Sequence, residues 1–292
     1  MPELPEVETI KRDLVSRVLG KKINAVIVLA PKTVFPAPPK FKSLLTGQSF
    51  VGIDRIGKLL IFSLSDQKHF LLVHLKMTGQ LIYSFHKELI AGGHSLKAES
   101  LVGYVGGELP NRSTRAYFTL SDQSQLFFND QRRFGYLKIV ESGDLDNIKL
   151  KYGIEPLTPG FTKLNFIKAI GKREKNIKAL LLDQSLISGL GNIYVDEALF
   201  AAGIRPSRRA RSLSKAEIER LYSVIEVLIK KAIKYRGTTF NNYLDAQGKK
   251  GSFVSKLQVY GRNKQTCLKC GGIIEKVKIA GRGTHFCSHC QK

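Results

Sequence analysis

The chain begins Met1-Pro2-Glu3-Leu4-Pro5-Glu6, and both its fold and its chemistry are organised around this stretch. Pro2 is small enough that we expect Met1 to be removed, which leaves Pro2 with a free secondary amine. An α-amino group titrates near about pH 8, so part of it is an uncharged nucleophile at neutral pH. Such an amine condenses with a sugar aldehyde to a cationic iminium, which is an electron sink. Glu3 and Glu6 supply two carboxylates nearby for general acid or base catalysis.

The same stretch is also typical of the beginning of a helix. Pro5 suits the first turn, where a missing N–H costs nothing, and Glu6 suits the positive end of the helix dipole. The apolar positions that follow recur at helical spacing until Gly20: Val7, Ile10, Leu14 and Val18. The two interpretations are compatible, because a helix that begins here fixes the position of the chain terminus.

The charge of the chain is strongly positive, with a formal net value of +23 over 292 residues. Residues 151–292 hold 27 Lys and Arg against 10 Asp and Glu, a net of +17, and residues 1–150 hold 20 against 14, a net of +6. A basic half of this kind favours a polyanionic partner, with nucleic acid the first candidate. The alternative is a ribosomal or otherwise merely basic protein.

The hydrophobic content of 43% predicts a folded chain, and 292 residues are enough for two domains with separate cores. No apolar run approaches the ~18 residues of a membrane-spanning segment. No secretory apolar stretch follows Met1. We therefore expect a cytoplasmic location and no membrane partner.

The four cysteines lie within the last 26 residues as two Cys-x2-Cys pairs separated by sixteen residues. The pairs are Cys267 with Cys270 and Cys287 with Cys290. This spacing is typical of a zinc site with four cysteine ligands. Disulfides are the alternative, which the absence of a secretion signal disfavours. Because no coordination position stays open, the sequence predicts one structural Zn²⁺ ion.

The pattern of apolar residues changes from strand-like to helical near residue 150. Strands are predicted at 23–29, 50–56, 59–64, 69–75, 80–85, 115–120, 125–128 and 134–140, with a long loop over 86–113. Helices are predicted at 162–171, 174–184, 192–202 and 214–235. A polar, Gly-rich loop follows at 236–253, and a strand is expected from Phe253 to Tyr260. The order predicts an antiparallel sandwich with the first helix against it, followed by a helical region.

Three motifs together resemble the formamidopyrimidine-DNA glycosylase family of bacterial repair enzymes. They are Pro2-Glu3-Leu4-Pro5-Glu6-Val7-Glu8-Thr9, Gly189-Leu190-Gly191-Asn192-Ile193-Tyr194 and Leu257-Gln258-Val259-Tyr260-Gly261-Arg262. The resemblance covers nearly the whole chain. It implies an α+β multidomain fold: an N-terminal β-sandwich catalytic domain over 1–150, a helix–two-turns–helix DNA-binding domain over 151–250 and a zinc-finger domain over 251–292.

The resemblance implies a base-excision repair glycosylase for oxidised purines such as 8-oxoguanine, with a second activity that cuts the strand by β,δ-elimination. It makes Pro2 the nucleophile on the deoxyribose C1′, Glu3 the acid–base residue and Glu6 a second acidic group. Lys58 matches a catalytic lysine near the damaged nucleotide, although by itself it reads as a solvated turn residue. The implied partner is damaged double-stranded DNA, bound by a monomer at the bacterial nucleoid.

Several further residues match DNA contacts of the family. Met77, Arg132 and Phe134 match the side chains that fill the gap left by a flipped base, although Met77 and Phe134 taken singly would suit core packing. Asn192 matches a phosphate contact, with a plain helix N-cap as the alternative. Weaker phosphate candidates are Arg173 and Lys178. Arg262 matches a zinc-finger arginine that holds phosphate and assists the second elimination.

The sequence departs from the family in the DNA-contact region. Lys76 stands where the family usually has Gly, a family His ahead of Ser113-Thr114-Arg115 is missing, and residues 86–112 are longer than the family loop. Two rival functions stay open. A Nei-type glycosylase for oxidised pyrimidines shares the fold, although Leu4 favours the purine branch. A non-enzymatic zinc-ribbon DNA-binding protein is the other rival.

Overall fold

The computed structural model describes residues 1–86, 88–93, 107–238 and 253–292. The chain forms two compact units. The first comprises Met1–Lys149 and Tyr235–Val254, and the second comprises Leu150–Lys234 and Ser255–Lys292. The segment after residue 234 therefore belongs with the N-terminal part of the chain, although the sequence places it after the helical region.

The first unit contains two five-stranded sheets. Its helices are α1 Leu4–Val18, α2 Pro38–Leu45 and α3 Ser142–Lys149. Its strands are β1 Ile23–Val28, β2 Val34–Phe35, β3 Phe50–Ile56, β4 Leu59–Leu64, β5 His69–His74, β6 Gly79–Phe85, β7 Glu88–Gly93, β8 Thr114–Leu120, β9 Gln125–Asp130 and β10 Tyr136–Glu141. One sheet has the order β1-β8-β9-β6-β7 and the other β2-β10-β5-β4-β3. Every described pairing is antiparallel except that of β10 with β2.

The two sheets pack face to face around one apolar core. The ring of Phe50 on β3 lies 5.2 Å from that of Phe62 on β4 and 6.1 Å from that of Phe118 on the opposite sheet. Helix α1 buries its apolar stripe in the same core, and Ile10 and Leu14 are each 2% exposed. The predicted sandwich with the first helix laid against it is confirmed.

Strand β7 lies inside the stretch that the sequence predicts as loop. Its Ile90 and Ala91 are buried, and the strand pairs with β6 from Glu88 to Gly93. The glycine pair at its end suggested a loop, but Gly92 has a packing reason. A Cβ at Gly92 would lie 2.3 Å from Cγ1 of Ile10, so only glycine lets α1 approach the sheet here. The rest of the predicted loop up to residue 106 lies outside the described residues.

The second unit contains the predicted helices and a two-stranded hairpin that ends at Cys287. The helices are α4 Lys163–Ile170, α5 Ile177–Leu182, α6 Asn192–Ala202 and α7 Lys215–Lys234, and the hairpin strands are β11 Ile274–Ile279 and β12 Arg282–Cys287. Helix α5 begins three residues later than predicted because Asn176 is its N-cap, with a side chain that accepts a hydrogen bond from the backbone N–H of Ala179. The α+β fold class is confirmed. None of the helices in the described ranges combines the length and the apolar composition that a membrane span requires.

The strand expected from Phe253 to Tyr260 is wrong. Residues Phe253–Lys256 form a 3-10 helix instead. The backbone N–H groups that follow donate to one buried carboxylate, with Gln258 N 2.9 Å from Glu197 Oε2 and Val259 N and Tyr260 N 2.9 and 2.8 Å from Glu197 Oε1. A side chain on α6 thus takes the place of a neighbouring strand.

Candidate active site

Helix α1 begins where the predicted catalytic residues lie. Glu3 is its N-cap, and the backbone N–H of Glu3 donates to Glu6 Oε2 at 2.9 Å. Pro2 is buried, Glu3 is 3% exposed and Glu6 is 8% exposed. The helix start and the candidate site are therefore the same structure, as the sequence allowed.

The second oxygen of Glu6 binds a residue far along the chain. Its Oε1 accepts hydrogen bonds from the backbone nitrogen of Thr238 at 2.7 Å and from the Thr238 hydroxyl at 3.1 Å. A Cβ on Gly237 would lie 2.5 Å from the same oxygen. Two positions before Thr238, Arg236 pairs with Asp13 of α1 at 2.6 Å. Residues 236–238 are thereby held against the first helix.

Lys58 joins this cluster through its position in the turn between β3 and β4. It is 7% exposed, so the interpretation as a solvated turn lysine is wrong. The amine of Met1 has a pKa below its ordinary value because burial disfavours its charged form. The carboxylates of Glu3 and Glu6 oppose this shift, whereas the charges of Lys58 and Arg132 add to it. The chain terminus thus lies within electrostatic reach of all four groups.

The turns that carry Met77, Arg132 and Phe134 lie at the surface of the same unit. Met77 is 36% exposed and Phe134 is 54% exposed, so neither packs in the core. The guanidinium carbon of Arg132 lies 4.8 Å from the centre of the Phe134 ring. The core interpretation of these two apolar side chains is therefore wrong, and the structure leaves them available to a partner.

Four of the predicted phosphate contacts lie in the second unit: Arg173, Lys178, Asn192 and Arg262. Asn192 occupies the first turn of α6, but Gly191 is the N-cap. The Asn192 Nδ2 donates to the Gly283 carbonyl at 2.9 Å, and its buried Oδ1 receives no hydrogen bond from any described residue. Arg173 is exposed, and its Nε donates to the Ala169 carbonyl at 2.7 Å.

The guanidinium of Arg262 is held inside its own segment. Its Nη1 donates to the Gln258 carbonyl at 2.8 Å, its Nη2 to the Thr266 carbonyl at 2.8 Å and its Nε to the Gln265 side chain at 3.1 Å. A guanidinium has five N–H donors. Two of them point elsewhere, which suffices for a bidentate contact to an anion.

Lys178 is not a surface phosphate contact. Its side chain is fully buried, with Nζ 2.6 Å from Asp196 Oδ1 and 2.7 Å from the Thr284 hydroxyl. The other Asp196 oxygen accepts the backbone N–H of His285 at 2.8 Å. This buried network joins α5 and α6 to strand β12. The charge of Lys178 is therefore paired with Asp196 inside the unit and does not face solvent.

The four cysteine sulfurs cluster as a metal site requires. All four lie within 4.8 Å of one another. Cys267 and Cys290 are 3.9 Å apart and Cys270 and Cys287 are 3.5 Å apart, far beyond a disulfide bond of about 2.05 Å. Tetrahedral zinc with Zn–S bonds of about 2.3 Å keeps its sulfurs about 3.8 Å apart. The donor set and spacing fit one structural zinc ion.

Sequence reasoning missed the buried acidic residues that hold these elements. Asp196 and Glu197 are adjacent charges in the apolar run of α6, and both are buried. Asp130 ends β9 and is also fully buried. A signal existed, because charges inside an apolar segment rarely face the interior unless they are paired. Their partners lie far away in the sequence, and no sequence motif links the acidic residues to them.

Comparisons with known proteins agree with this arrangement. Residues 1–137 match the formamidopyrimidine-DNA glycosylase N-terminal domain, residues 152–243 the formamidopyrimidine-DNA glycosylase H2TH domain and residues 264–292 a zinc finger found in FPG and IleRS. The formamidopyrimidine-DNA glycosylase of Heliobacterium modesticaldum is 42% identical over 296 residues, and that of Listeria monocytogenes serotype 4b (strain F2365) is 39% identical over 296 residues. Each alignment covers 100% of both chains.

Solved structures show the same similarity. A mutant of Lactococcus lactis FPG in complex with Fapy-dG containing DNA matches with a TM-score of 0.85 and 35% identity, covering 100% of both chains. Lactococcus lactis Fpg in complex with DNA containing an abasic site matches with a TM-score of 0.84 and 35% identity, covering 99% of both chains.

Proposed function

The chain belongs to the formamidopyrimidine-DNA glycosylase family, and on that premise we propose that it removes oxidised purines from duplex DNA and then cuts the strand through Pro2. It is a base-excision repair glycosylase with a structural zinc finger. We propose its strand-cutting lyase activity, and the roles of individual residues, from the geometry around the chain terminus. We further place it in the bacterial cytoplasm, at the nucleoid while it acts, as a monomer.

The reaction begins when the Pro2 nitrogen attacks C1′ of the extruded nucleotide. The bond between C1′ and the base breaks, and the base leaves with the electron pair and a proton. Glu3 protonates the ring oxygen, so the sugar opens and a cationic iminium joins C1′ to Pro2. The cation acidifies C2′–H, and after loss of that proton the C3′–O bond breaks and the 3′-phosphate departs. A second elimination breaks C5′–O.

One observation carries this assignment: the buried cluster of two carboxylates and Lys58 surrounds the chain terminus. Burial lowers the pKa of the Met1 amine. Once Met1 is removed, the Pro2 amine takes up a neighbouring position, where the same desolvation favours its neutral, nucleophilic form. If Met1 stays, the Pro2 nitrogen is an amide and cannot attack.

The exposed turns supply the extrusion step. A base inside a duplex is out of reach, so the damaged nucleotide must leave the stack. Met77 and Phe134 provide apolar wedges, and the Arg132 guanidinium can hydrogen-bond the orphaned base. In the second unit, Arg173 and Asn192 contribute phosphate contacts. Arg262 holds the phosphate that leaves in the second elimination.

The proposal is tested by borohydride trapping on 8-oxoguanine duplex followed by peptide mapping. We expect one covalent adduct on Pro2, and Pro2→Gly should lose most of it while the unfolding temperature is unchanged. Lys58→Gln is the matched control, because it should slow the reaction but leave any adduct on Pro2. An adduct that maps to Lys58 contradicts the assignment. Binding without an adduct supports a non-enzymatic protein, and faster trapping on oxidised pyrimidines supports a Nei-type enzyme.

A further inference from the structure

We propose that Asp130 is a positioning residue that couples the Met77 turn to the Arg132–Phe134 turn, so that the three side chains enter the duplex as one unit. This inference rests on the proposed function of those three side chains. It concerns why the three side chains would enter the duplex together, although they lie on two separate turns.

The carboxylate of Asp130 binds both turns at once. Its Oδ1 accepts hydrogen bonds from the hydroxyl of Thr78, the residue after Met77, and from the backbone N–H of Arg132 at 3.2 Å. Its Oδ2 accepts the backbone N–H of Gly135, the residue after Phe134, at 2.6 Å. The Asp130 carboxylate therefore contacts both ends of the Arg132–Phe134 turn and the residue that follows Met77 in the other turn.

A direct bond between the turns closes this arrangement. The Thr78 hydroxyl oxygen accepts the backbone N–H of Arg132 at 3.0 Å. Gly135 is packed too closely for any side chain, because a Cβ there would lie 2.8 Å from Cζ of Phe128 and 2.9 Å from the His74 carbonyl. The backbone at Gly135 can thus reach Oδ2 of Asp130 only because it is glycine.

Asp130 is itself fixed from the opposite side. Its backbone nitrogen donates to the Ser113 carbonyl at 2.8 Å, and its carbonyl accepts Nε of Arg115 at 2.7 Å. Asp130 is 0% exposed and Arg115 is 6% exposed. The anchor is therefore a dry, rigid strand end, and movement of one turn is transmitted to the other through the carboxylate.

The hydrogen-bonding pattern of the carboxylate makes the coupling testable. Its described donors are a hydroxyl and two backbone N–H groups, so it acts purely as an acceptor on both oxygens. Asp130→Asn replaces one acceptor by an NH₂ donor, which then faces the backbone N–H of either Arg132 or Gly135. A buried donor left without an acceptor is costly. The variant keeps the shape of the side chain but loosens its hold on one end of the Arg132–Phe134 turn, and thereby the coupling of that turn to the Met77 turn.

The decisive experiment compares two substrates. The first is a fully paired 8-oxoguanine duplex, and the second carries the same lesion opposite a one-nucleotide gap, where the base is already poorly stacked. We expect Asp130→Asn to slow single-turnover base release from the paired duplex by about 10-fold or more, in line with loss of a buried hydrogen bond to a charged group. Release from the gapped duplex should change by less than about 3-fold on the same reasoning.

Controls separate coupling from damage to the fold. Asp122→Asn makes the same chemical change in the turn between β8 and β9, where Asp122 binds Lys21 and Ser124, and should leave both rates unchanged. Thr78→Val removes only the hydroxyl. It should also slow base release from the paired duplex more than from the gapped duplex, but by a smaller factor than Asp130→Asn does. In a Met77→Ala background, Asp130→Asn should have a reduced effect, because the wedge it positions is already gone.

The inference is overturned if Asp130→Asn lowers both rates equally, or if its effect is undiminished in the Met77→Ala background. Should Asp130→Asn unfold, Thr78→Val decides by the same comparison. A wild-type protein that forms no adduct on 8-oxoguanine DNA would instead sink the proposed function. If the wild-type protein is active on both duplexes and Asp130→Asn slows both equally, only the inference about Asp130 fails.

Discussion

The Glu6 carboxylate accepts two hydrogen bonds from Thr238, a residue 232 positions away, while its other oxygen accepts the backbone N–H of Glu3. One buried carboxylate thus connects Glu3, the neighbour of the candidate nucleophile, to Thr238, four residues after the end of α7. The position of Glu6 determines how the chain terminus is held. Changes at either end of this connection should alter the chemistry of Pro2.

Gly237→Ala is expected to displace Glu6. The new Cβ would lie 2.5 Å from Glu6 Oε1 at a backbone φ of +82°. A misplacement of about 1 Å can cost up to about 100-fold in rate, so we expect at least a tenfold slower formation of the trapped adduct. Gly47→Ala is the matched control, because Gly47 has a φ of +90° and open space around it. Equal rates in the two variants would contradict this prediction.

Lys178→Met should destabilise the protein strongly. The change leaves the Asp196 carboxylate buried after it has lost its cation, which typically costs about 3–5 kcal/mol. Urea unfolding followed by circular dichroism measures the loss. Lys163→Met is the control, since Lys163 pairs with Glu219 at 3.7 Å with side chains 53% and 32% exposed. Such a solvent-accessible pair contributes about 1 kcal/mol or less.

Removal of zinc should weaken DNA binding before it affects the sandwich. Cys270→Ser removes one ligand from a site whose four sulfurs lie within 4.8 Å of one another. We expect metal analysis to find one zinc per wild-type chain and less in the variant. The sandwich should keep its unfolding transition, because its core is formed by other residues. A zinc-free wild-type protein with paired thiols would contradict this expectation.

Arg262→Ala should reduce the second elimination more than the first. Three of the guanidinium donors are bound within the segment, which holds the guanidinium in one orientation and leaves two N–H donors for a phosphate. On a gel at saturating enzyme, product ending in an unsaturated sugar remnant should accumulate at the expense of product ending in 3′-phosphate. Arg262→Lys should not restore the ratio. An unchanged product ratio would leave Arg262 as a general phosphate contact.

His74 should make the fold sensitive to acid. Burial, together with the charges of Lys76 and Lys58, lowers its pKa to about 3, and its Nδ1 accepts the backbone N–H of Lys76 at 3.0 Å. The unfolded value is about 6.5. Between these values the unfolded chain binds more protons, so this contribution to stability is complete above about pH 6.5 and is lost as the pH falls toward the folded pKa.

His74→Gln tests that contribution. The free energy of unfolding of the wild type should fall by on the order of 1–2 kcal/mol more than that of the variant between pH 7.5 and pH 5. The comparison cancels the carboxylates that titrate in both proteins. Parallel pH profiles would show that folding does not lower the pKa of His74.

The sequence by itself determined the features that depend on neighbouring residues. The period of the apolar positions predicted most strands and helices, because that period reports which face of an element is buried. Two Cys-x2-Cys pairs predicted the zinc site, since each pair places its own two ligands locally. Three short motifs identified the family. The three-domain division stays a prediction, as do the roles of the site residues.

The tertiary structure decided the features that depend on distant partners. The sequence cannot tell that Glu197 would take the backbone N–H groups of residues 258–260, which removed the expected strand. Lys178 lies in a basic run that reads as a solvated surface, yet it is buried because Asp196 neutralises it. Asp130 and Glu6 each bind groups that only folding brings within hydrogen-bond distance. A buried charge is stable only beside its partners, and periodicity along the chain contains no record of them.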